Sequence, residues 1–539
     1  MNIKSFFKDR STKHGLFCQI PIVICCVLCL FKALSVFFLS FTNYNGLNSA
    51  DFVGFRNYSY ALNAEFVSTY LGTASQTVIL ALVMIPTAII PSFFFAKSKS
   101  RWSRLSVVYL LISFLFILCG GVLAYVLSSD ELGWANALLL ELQFIDFPVE
   151  WLQILKLPIF YFTSVWAVFL ITYLGARRGK GFQGATIAIC VLPIITTYFD
   201  QYVHKICNFY TTCGHTSCLI RDYAWGRYET GFACSIAMIC FIMFAVWCLT
   251  VCLGAYVISK IYRSKRCVTD RSDNSTYAAA GKVVSVLTSI VFWLIALFII
   301  YIMILQMFRP IDEVLFYPIR LFTLNPTLSN FANVVELNDF HNPYAYNVFG
   351  FDYPFEYLYV MLGVCAMIIV PSALGLSLIK SNRIRFWIFV AFGMISVISS
   401  TWELIPNSSH DFYAKLLFGT PAGGIILIFS YLLFKRIFNN SARKKCLVLG
   451  SISIFLLCIS ACIATINLSA TSFGASPAWY ISFSNNWHSS VSIAGMNAVT
   501  SFLLLASTLI PFAVSALFYV LTLRVCRRTD PSLHTDELL

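Results

Sequence analysis

Long apolar stretches alternate with short polar loops along the whole chain. A helix that spans the hydrocarbon of a bilayer needs about 20 mostly apolar residues, because its backbone must satisfy its own hydrogen bonds where there is no water. Twelve stretches meet this requirement, near residues 17–40, 68–96, 105–127, 157–175, 184–203, 232–258, 283–307, 356–379, 386–404, 415–434, 446–468 and 493–522. The pattern predicts an all-α polytopic membrane protein with twelve transmembrane helices.

The charge of the loops alternates in sign and predicts the orientation. Basic clusters precede the first stretch and follow each even-numbered one, and they hold 28 of the 37 Lys and Arg residues but only 6 of the 24 Asp and Glu residues. Lys and Arg favour the cytoplasmic side of a membrane. We therefore predict both termini in the cytoplasm, in a multi-pass protein of the bacterial plasma (inner) membrane.

Composition excludes several functional classes. Hydrophobic residues make up 59% of the chain and charged residues 11%, which leaves no room for a large soluble domain. The net charge of +13 is spread over short cytoplasmic clusters, so it indicates contact with membrane lipid and its anionic headgroups, and no nucleic acid. No catalytic, metal-ligating or cofactor-binding constellation stands out. We predict neither an enzyme nor a bound cofactor.

Most of the 19 Cys residues fall within apolar stretches, where a thiol behaves as a small apolar group. Cys207, Cys213 and Cys218 instead share one external loop. A disulfide forms there only if the exterior is oxidising, and Cys213 to Cys218 is then the easier loop to close. The state of these three residues stays open.

The chain divides into two sets of six stretches. The first half covers residues 1–262, a polar cytoplasmic linker covers 263–282, and the second half covers 283–539. Because each half has an even number of spans, both halves have the same orientation. Any internal symmetry is then a pseudo-twofold axis along the membrane normal.

Short motifs in both halves carry a family resemblance. The first half has Phe41 to Gly46 (FTNYNG), Phe52 to Tyr58 (FVGFRNY), Gly133 to Leu138 (GWANAL), Glu150 to Leu152 (EWL), Leu192-Pro193, Tyr198 to Val203 (YFDQYV) and Gly231 to Ala237 (GFACSIA). The second half has Phe308 to Glu313 (FRPIDE), Pro318, and Asn325 to Phe331 (NPTLSNF). In this order the motifs resemble the two permeases of maltose-type carbohydrate ABC importers, fused into one chain. The resemblance implies two six-helix permease-like halves.

The chain departs from that family at the inner loops. The resemblance implies a cytoplasmic loop between the fourth and fifth helices of each half, with an EAA pattern and a short helix that docks into the ATPase. Here the corresponding segments are 176–183 and 435–445, and neither contains an acidic residue or the pattern. Conventional coupling to ATP hydrolysis is therefore in doubt.

Candidate site residues come from the resemblance and from burial of charge. The family resemblance places residues at the end of the fifth span near a substrate path, and a charge inside the first span is a functional candidate by default. The alternative explanations are that the residues at the end of the fifth span anchor it at the membrane interface, and that the charged side chain in the first span extends to the headgroups. The candidate path residues are Tyr198, Phe199, Asp200, Gln201, Tyr202 and Lys32. The candidate cytoplasmic contacts to a partner are Arg177, Arg178, Lys180, Lys435, Arg436, Arg443, Lys444 and Lys445.

Two functions fit these observations. The first is a permease component of a carbohydrate-type ABC importer that is degenerate in its coupling loops. It would need separate ABC ATPase subunits and an extracellular or periplasmic solute-binding protein that docks on loops 41–67, 128–156 and 308–355. The second is a membrane scaffold or accessory subunit that keeps the permease fold to recruit partners. An enzyme acting on lipid-linked sugars needs ordered carboxylate pairs, and nothing orders those of the acidic loop 128–156.

Overall fold

The structure is a computed structural model in which every regular element is a helix across the residues it describes. It describes residues 10–45, 50–98, 104–177, 179–206, 219–220, 222–266, 275–337, 362–363, 365–379, 381, 384–385, 388, 392, 421–438, 443–473 and 494–529. At some helical positions it describes the backbone alone.

The long described helices follow the apolar pattern, and several short helices lie in the loops between the predicted spans. The described helices are α1 (Arg10–Phe17), α2 (Ile20–Leu39), α3 (Arg56–Ala61), α4 (Ala64–Met84), α5 (Ile90–Lys97), α6 (Val107–Leu118), α7 (Gly120–Val126), α8 (Trp134–Glu141), α9 (Trp151–Ile154), α10 (Lys156–Arg177), α11 (Gly181–Ile206), α12 (Thr230–Arg266), α13 (Ser275–Phe308), α14 (Ile311–Phe316), α15 (Ser329–Leu337), α16 (Val370–Leu378), α17 (Pro421–Phe438), α18 (Arg443–Phe473) and α19 (Ala494–Thr529).

Six of the described helices are long and apolar enough to cross a membrane. They cover Phe66–Lys97, Leu157–Arg177, Thr230–Lys260, Ala279–Phe308, Lys445–Ile463 and Ala494–Cys526, and each coincides with a predicted span. Shorter apolar helices at Arg104–Leu118, Gly181–Pro193 and Cys365–Leu378 overlap three further predicted spans. The chain is therefore a helical membrane protein.

The remaining predicted spans have no such support. Helices α2 and α17 overlap the first and tenth stretches, and most of the ninth, near 386–404, lies outside the described residues. The number twelve and the cytoplasmic termini stay predictions.

The second and eighth predicted spans share one local geometry. In each, a five-residue π-helical segment is followed at once by an α-helix with proline at its second position. Pro91 follows the segment Ile85–Ile89, and Pro371 follows the segment Cys365–Ile369. Proline removes a backbone donor, and a π-helical turn shifts the local hydrogen-bond pattern. The two spans are thus interrupted by the same kind of segment.

Tyr109 of α6 joins the interrupted second span to the main core. Pro91 cannot donate to the carbonyl oxygen of Thr87, four residues before it, and the hydroxyl of Tyr109 donates to that oxygen at 2.8 Å. The buried Tyr109 ring stacks on Phe169 with a centroid distance of 4.1 Å and meets Phe292 edge-on at 5.0 Å. A neighbouring span therefore satisfies the backbone group that the proline leaves free.

The N-terminal helices pack on the eighth predicted span. Gly15 lies so close to Gly375 of α16 that a Cβ atom at Gly15 would be 2.8 Å from the Gly375 carbonyl oxygen. The Gln19 amide donates to the carbonyl oxygen of Ser372 at 2.9 Å. Ile22 is buried in the core formed by residues of α16, α17, α18 and α19. The first span therefore contacts residues of the predicted second half.

Candidate functional site

The structure describes only the backbone of the residues predicted to line a substrate path. Lys32 lies in α2, and Tyr198, Phe199, Asp200, Gln201 and Tyr202 lie in α11, but at all six positions only the backbone is described. The three cysteines Cys207, Cys213 and Cys218 lie outside the described residues. The substrate path and the state of the cysteines stay predictions.

One end of the helical bundle is built from irregular segments and short helices. We call the surface formed there by residues 40–45, 50–63, 128–155, 219–220, 222–230 and 309–337 the outer face, because the charge pattern predicts that it lies outside the cell. Three asparagine side chains organise it. Each of them lies within one of the motifs that carry the family resemblance.

Asn57 closes the end of α2. The last carbonyl groups of a helix have no partner within the helix. The Asn57 side-chain amide donates to the carbonyl oxygens of Ser40 at 3.0 Å and Thr42 at 2.8 Å, just after α2 ends. The neighbouring Tyr58 hydroxyl lies 2.6 Å from the Ser40 hydroxyl. The chain after the first span is therefore tied back to the helix end.

The same segment packs against the start of α12. The backbone N–H of Gly231 donates to the carbonyl oxygen of Tyr44 at 2.8 Å. A Cβ atom at Gly231 would collide with the carbonyl oxygen of Thr42. Because that oxygen belongs to backbone, only glycine allows this approach.

Asn330 closes the end of α13 in the same way. Its side-chain amide donates to the carbonyl oxygens of Gln306 at 3.2 Å, Met307 at 3.2 Å and Arg309 at 2.9 Å. Like Asn57, Asn330 lies near the start of a short helix that follows the span, and in both cases an aromatic residue comes next in the chain. The first span of each predicted half therefore has the same asparagine-capped end.

Arg309 organises the segment between α13 and α15. It is fully buried, and a buried cation is tolerated only when it is paired and hydrogen-bonded. Its guanidinium donates to the carbonyl oxygens of Pro318 at 3.0 Å, Glu313 at 2.7 Å and Tyr317. The Tyr125 hydroxyl from α7 donates to the Pro318 oxygen at 3.1 Å, which joins this segment to the third predicted span.

Glu313 completes the network around Arg309. Its carboxylate accepts the backbone N–H groups of Asn325 at 3.0 Å and Leu324 at 3.1 Å, and it lies 3.9 Å from the Arg309 guanidinium. Burial alone would raise the pKa of the Glu313 carboxyl, but the backbone donors and Arg309 outweigh it and hold that pKa below its ordinary value. Glu313 is therefore ionised at neutral pH.

Asn136 is the third organising asparagine. Its amide donates to the carbonyl oxygens of Ser128 at 2.9 Å and Asp130 at 3.2 Å. It also pairs in both directions with the backbone of Val149, at 3.1 and 3.0 Å, and accepts the Trp151 indole N–H at 2.6 Å. One buried side chain thus fixes both ends of the segment between the third and fourth predicted spans.

The outer face exposes large aromatic side chains on these organised segments. The exposed fractions are 78% for Phe52, 74% for Phe55, 74% for Phe144, 80% for Phe147 and 74% for Phe316. Exposed apolar groups on an ordered backbone are typical of surfaces that bind a partner or meet a membrane interface. The outer face therefore offers apolar contact area in three separate segments.

At the opposite end of the bundle, a short connection joins α10 to α11. Residues 178–180 alone connect α10 to α11. Gly175 and Gly184 lie where the two helices touch, and a Cβ atom at Gly175 would be 2.9 Å from the Cα atom of Gly184. The backbone N–H of Lys180 donates to the Gly175 carbonyl oxygen at 2.8 Å, and Gly179 has a φ of 70°, as glycines at helix ends often do.

The corresponding connection in the second half is also short, with four residues between the two helices. Residues 439–442 alone connect α17 to α18, and Gly450 of α18 lies against Ile437 of α17. We call the segments 178–180 and 439–442 the inner turns, on account of their length alone. Neither has room for a helix that docks into an ATPase.

The basic residues predicted to contact a cytoplasmic partner lie beside the inner turns. Lys180, Lys435 and Lys445 are exposed, and Arg177 and Arg436 are partly exposed. For Arg178, Arg443 and Lys444 the side chain lies outside the described positions. The exposed lysines are available to a partner or to lipid headgroups, and no contact in the structure identifies which.

Asn57, Asn136 and Asn330 each lie in a motif that carries the family resemblance, but their roles were not predicted from the sequence. Their hydrogen-bond acceptors are backbone carbonyls that no residue pattern reveals. Within the described part of the chain, no cluster of three or more His, Cys, Asp or Glu residues is suited to hold a metal ion. Comparison with protein-family models, curated proteins and solved structures finds no match to this chain.

Proposed function

We propose that the chain is the transmembrane permease component of a carbohydrate-type ABC importer that has lost the usual ATPase-coupling loops. The observation that carries the proposal is the repeated cap on the first span of each half. Asn57 and Asn330 close α2 and α13 with the same kind of hydrogen bonds, and both lie in motifs that resemble the family.

A second pair of features supports the two-half organisation on which the proposal depends. The π-helical interruption followed by proline occurs in the second span of each half, at Pro91 and Pro371. A parallel repeat of six spans places corresponding features at corresponding positions in the two halves. The inner turns 178–180 and 439–442 form a third such pair.

In this proposal each face of the protein has its own partner. A solute-binding protein outside the plasma membrane docks on loops 41–67, 128–156 and 308–355, where Arg309, Asn136 and Asn57 hold the backbone rigid. A rigid docking surface lowers the entropy lost on binding. A separate ABC ATPase binds the exposed lysines beside the inner turns.

A specific observation favours a second candidate, a non-transporting scaffold. The inner turns join their helices through three and four residues, in 178–180 and 439–442, so force from an ATPase has no docked helix to act on. Loss of both coupling helices together with an intact outer face is what a protein retained for partner recruitment would show.

Purification from native membranes distinguishes the two candidates. The tagged chain is stabilised by mild cross-linking and its partners are identified by mass spectrometry. The importer proposal expects a stoichiometric ABC ATPase, which the variant K180E/K435E/K445E loses and the matched control K97E retains. Lys97 is also exposed and lies at the predicted cytoplasmic end of the second span. Other partners without any ATPase would instead support the scaffold.

A further inference from the structure

The segment from Trp134 to Glu150 lies on the outer face, and we call it the finger. It consists of α8 and the turn that follows it. The backbone N–H of Phe144 donates to the Leu139 carbonyl oxygen at 2.9 Å, and that of Gln143 donates to Leu140 at 3.0 Å. The finger therefore ends in a closed, hydrogen-bonded cap rather than in an open loop.

The cap contains a backbone conformation that is unusual for its residue. Gln143 has a φ of 56°, in the left-handed region that favours glycine. Such a conformation costs on the order of 1 kcal/mol or more, and it persists only where the surroundings determine it. Here the cap bonds on one side and Asn136 on the other hold the turn.

The strained turn presents apolar side chains to the exterior. Leu142, Phe144 and Phe147 are all more than half exposed, and Phe147 is the most exposed of them. Because the backbone is already ordered, a partner that covers these side chains gains apolar burial without ordering the segment first.

The charged residues around the exposed apolar side chains of the finger are all acidic. Residues 128–155 contain five acidic residues and no Lys or Arg. Glu141, Asp146 and Glu150 flank the exposed apolar side chains, and all three are exposed. Anionic lipid headgroups repel such a surface, and membrane interfaces favour Trp and Tyr over Phe. The charge pattern therefore favours a basic protein partner over a lipid surface.

We propose that the finger inserts Phe144 and Phe147 into an apolar cleft of a soluble extracytoplasmic protein whose cleft is rimmed by Lys and Arg. This inference rests on the proposed docking role of the outer face and names the chemistry of the partner. Opposite charges steer the encounter, and the rigid aromatic side chains supply the buried contact.

A photo-cross-linking amino acid at position 147 of the full chain, in native membranes, tests this inference. We expect an adduct whose cross-linked peptide lies in an apolar cleft with Lys and Arg at its rim. The variant E141K/D146K/E150K should lower the adduct yield by about tenfold, because it reverses the steering charge. The control E229K, an exposed acid outside the finger and the docking loops, should leave the yield unchanged.

Folding of each variant is checked by its thermal unfolding in detergent. If the reversed variant unfolds, E141Q/D146N/E150Q removes the charge with little change of shape, and a several-fold loss of adduct is still expected. Adducts with phospholipid alone, or a yield that is insensitive to the charges, would overturn the inference.

The two proposals can fail separately. Recovery of an ATPase without a finger adduct would overturn the finger and leave the importer proposal standing. A charge-sensitive adduct without an ATPase would support the finger and favour the scaffold.

Discussion

Ser453 of α18 and Ser515 of α19 exchange hydrogen bonds in both directions. The Ser453 hydroxyl donates to the Ser515 carbonyl oxygen at 2.8 Å, and the Ser515 hydroxyl donates to the Ser453 carbonyl oxygen at 2.7 Å. Both side chains are buried. Helices in a bilayer associate through small residues and interhelical hydrogen bonds, because lipid provides no hydrophobic force to bring them together. This reciprocal pair sets the approach of the eleventh and twelfth predicted spans.

Replacement of the pair tests its contribution. The variant S453A/S515A keeps a small residue at each position and should lower stability by about 1 kcal/mol, since such bonds average well under that each. S453L should cost more than S453A, because the larger side chain separates the helices. Thermal unfolding in detergent measures both, and T250A, at an exposed position on α12, is the control for loss of a hydroxyl. Equal stability of S453L and S453A would contradict the close approach.

Cys446 and Cys526 extend the same helix pair to its predicted inner end. Their sulfur atoms are 3.1 Å apart and both side chains are buried. We expect copper phenanthroline, with oxygen as the oxidant, to join them through a disulfide. A protease site inserted between positions 474 and 493 then yields two fragments that stay together until reduced. C446S should abolish this link, and separate fragments from the parent chain would contradict the pairing.

Replacement of the capping asparagines Asn57 and Asn330 by alanine should lower stability by unequal amounts. N330A removes three hydrogen bonds from buried carbonyl oxygens and should destabilise the protein by about 2–3 kcal/mol, because unsatisfied buried acceptors are costly. N57A removes two partly buried bonds and should cost about 1 kcal/mol. Unfolding in detergent measures both losses. N43A, which removes exposed bonds to Asp51, serves as the control. A loss for N57A greater than that for N330A would contradict the proposed geometry.

The lowered pKa of Glu313 predicts an acid-sensitive outer face. A carboxyl whose folded pKa lies below its ordinary value of 4.5 stabilises the fold above that value, and the stabilisation disappears as the pH falls through the folded pKa. Hydrogen exchange at the backbone amides of Leu324 and Asn325 should therefore accelerate, relative to remote amides, below pH 4.5. E313Q should show fast exchange already at pH 7. The same relative protection at pH 7 and pH 3 would contradict this role of Glu313.

The glycine contact at the first inner turn predicts a steric penalty. G175A places a Cβ atom 2.9 Å from the Cα atom of Gly184, so α10 and α11 must move apart. We expect a loss of about 1–3 kcal/mol, as for other overpacked positions. G254A is the matched control, because a Cβ atom at Gly254 meets nothing within 4 Å and alanine favours the helix. Thermal unfolding of the two variants in detergent compares them, and similar stabilities would mean that the turn is looser than described.

Local composition was sufficient to predict the six long apolar helices. Residues 68–96, 157–175 and 283–307 were assigned to spans from their length and apolarity, and helices of the required length and hydropathy occupy all three. The prediction succeeded because transfer into hydrocarbon depends on the residues of one segment and hardly on their neighbours. The shortness of the inner turns followed equally from the sequence, because a segment such as 176–183 is too short to hold a further helix.

The partners of individual side chains were decided by the tertiary structure alone. Gln19 bonds to the backbone of a residue 353 positions away, and the acceptors of Asn330 are carbonyl groups that every residue type provides. Such pairings depend on which helices are in contact and on their relative position along the membrane normal. Apolar helix faces of similar length do not specify these contacts in lipid. The sequence by itself therefore determined that the chain is a helical membrane protein. Packing decided which residues hold the outer face together. It also decided which helices lie in contact beside the inner turns.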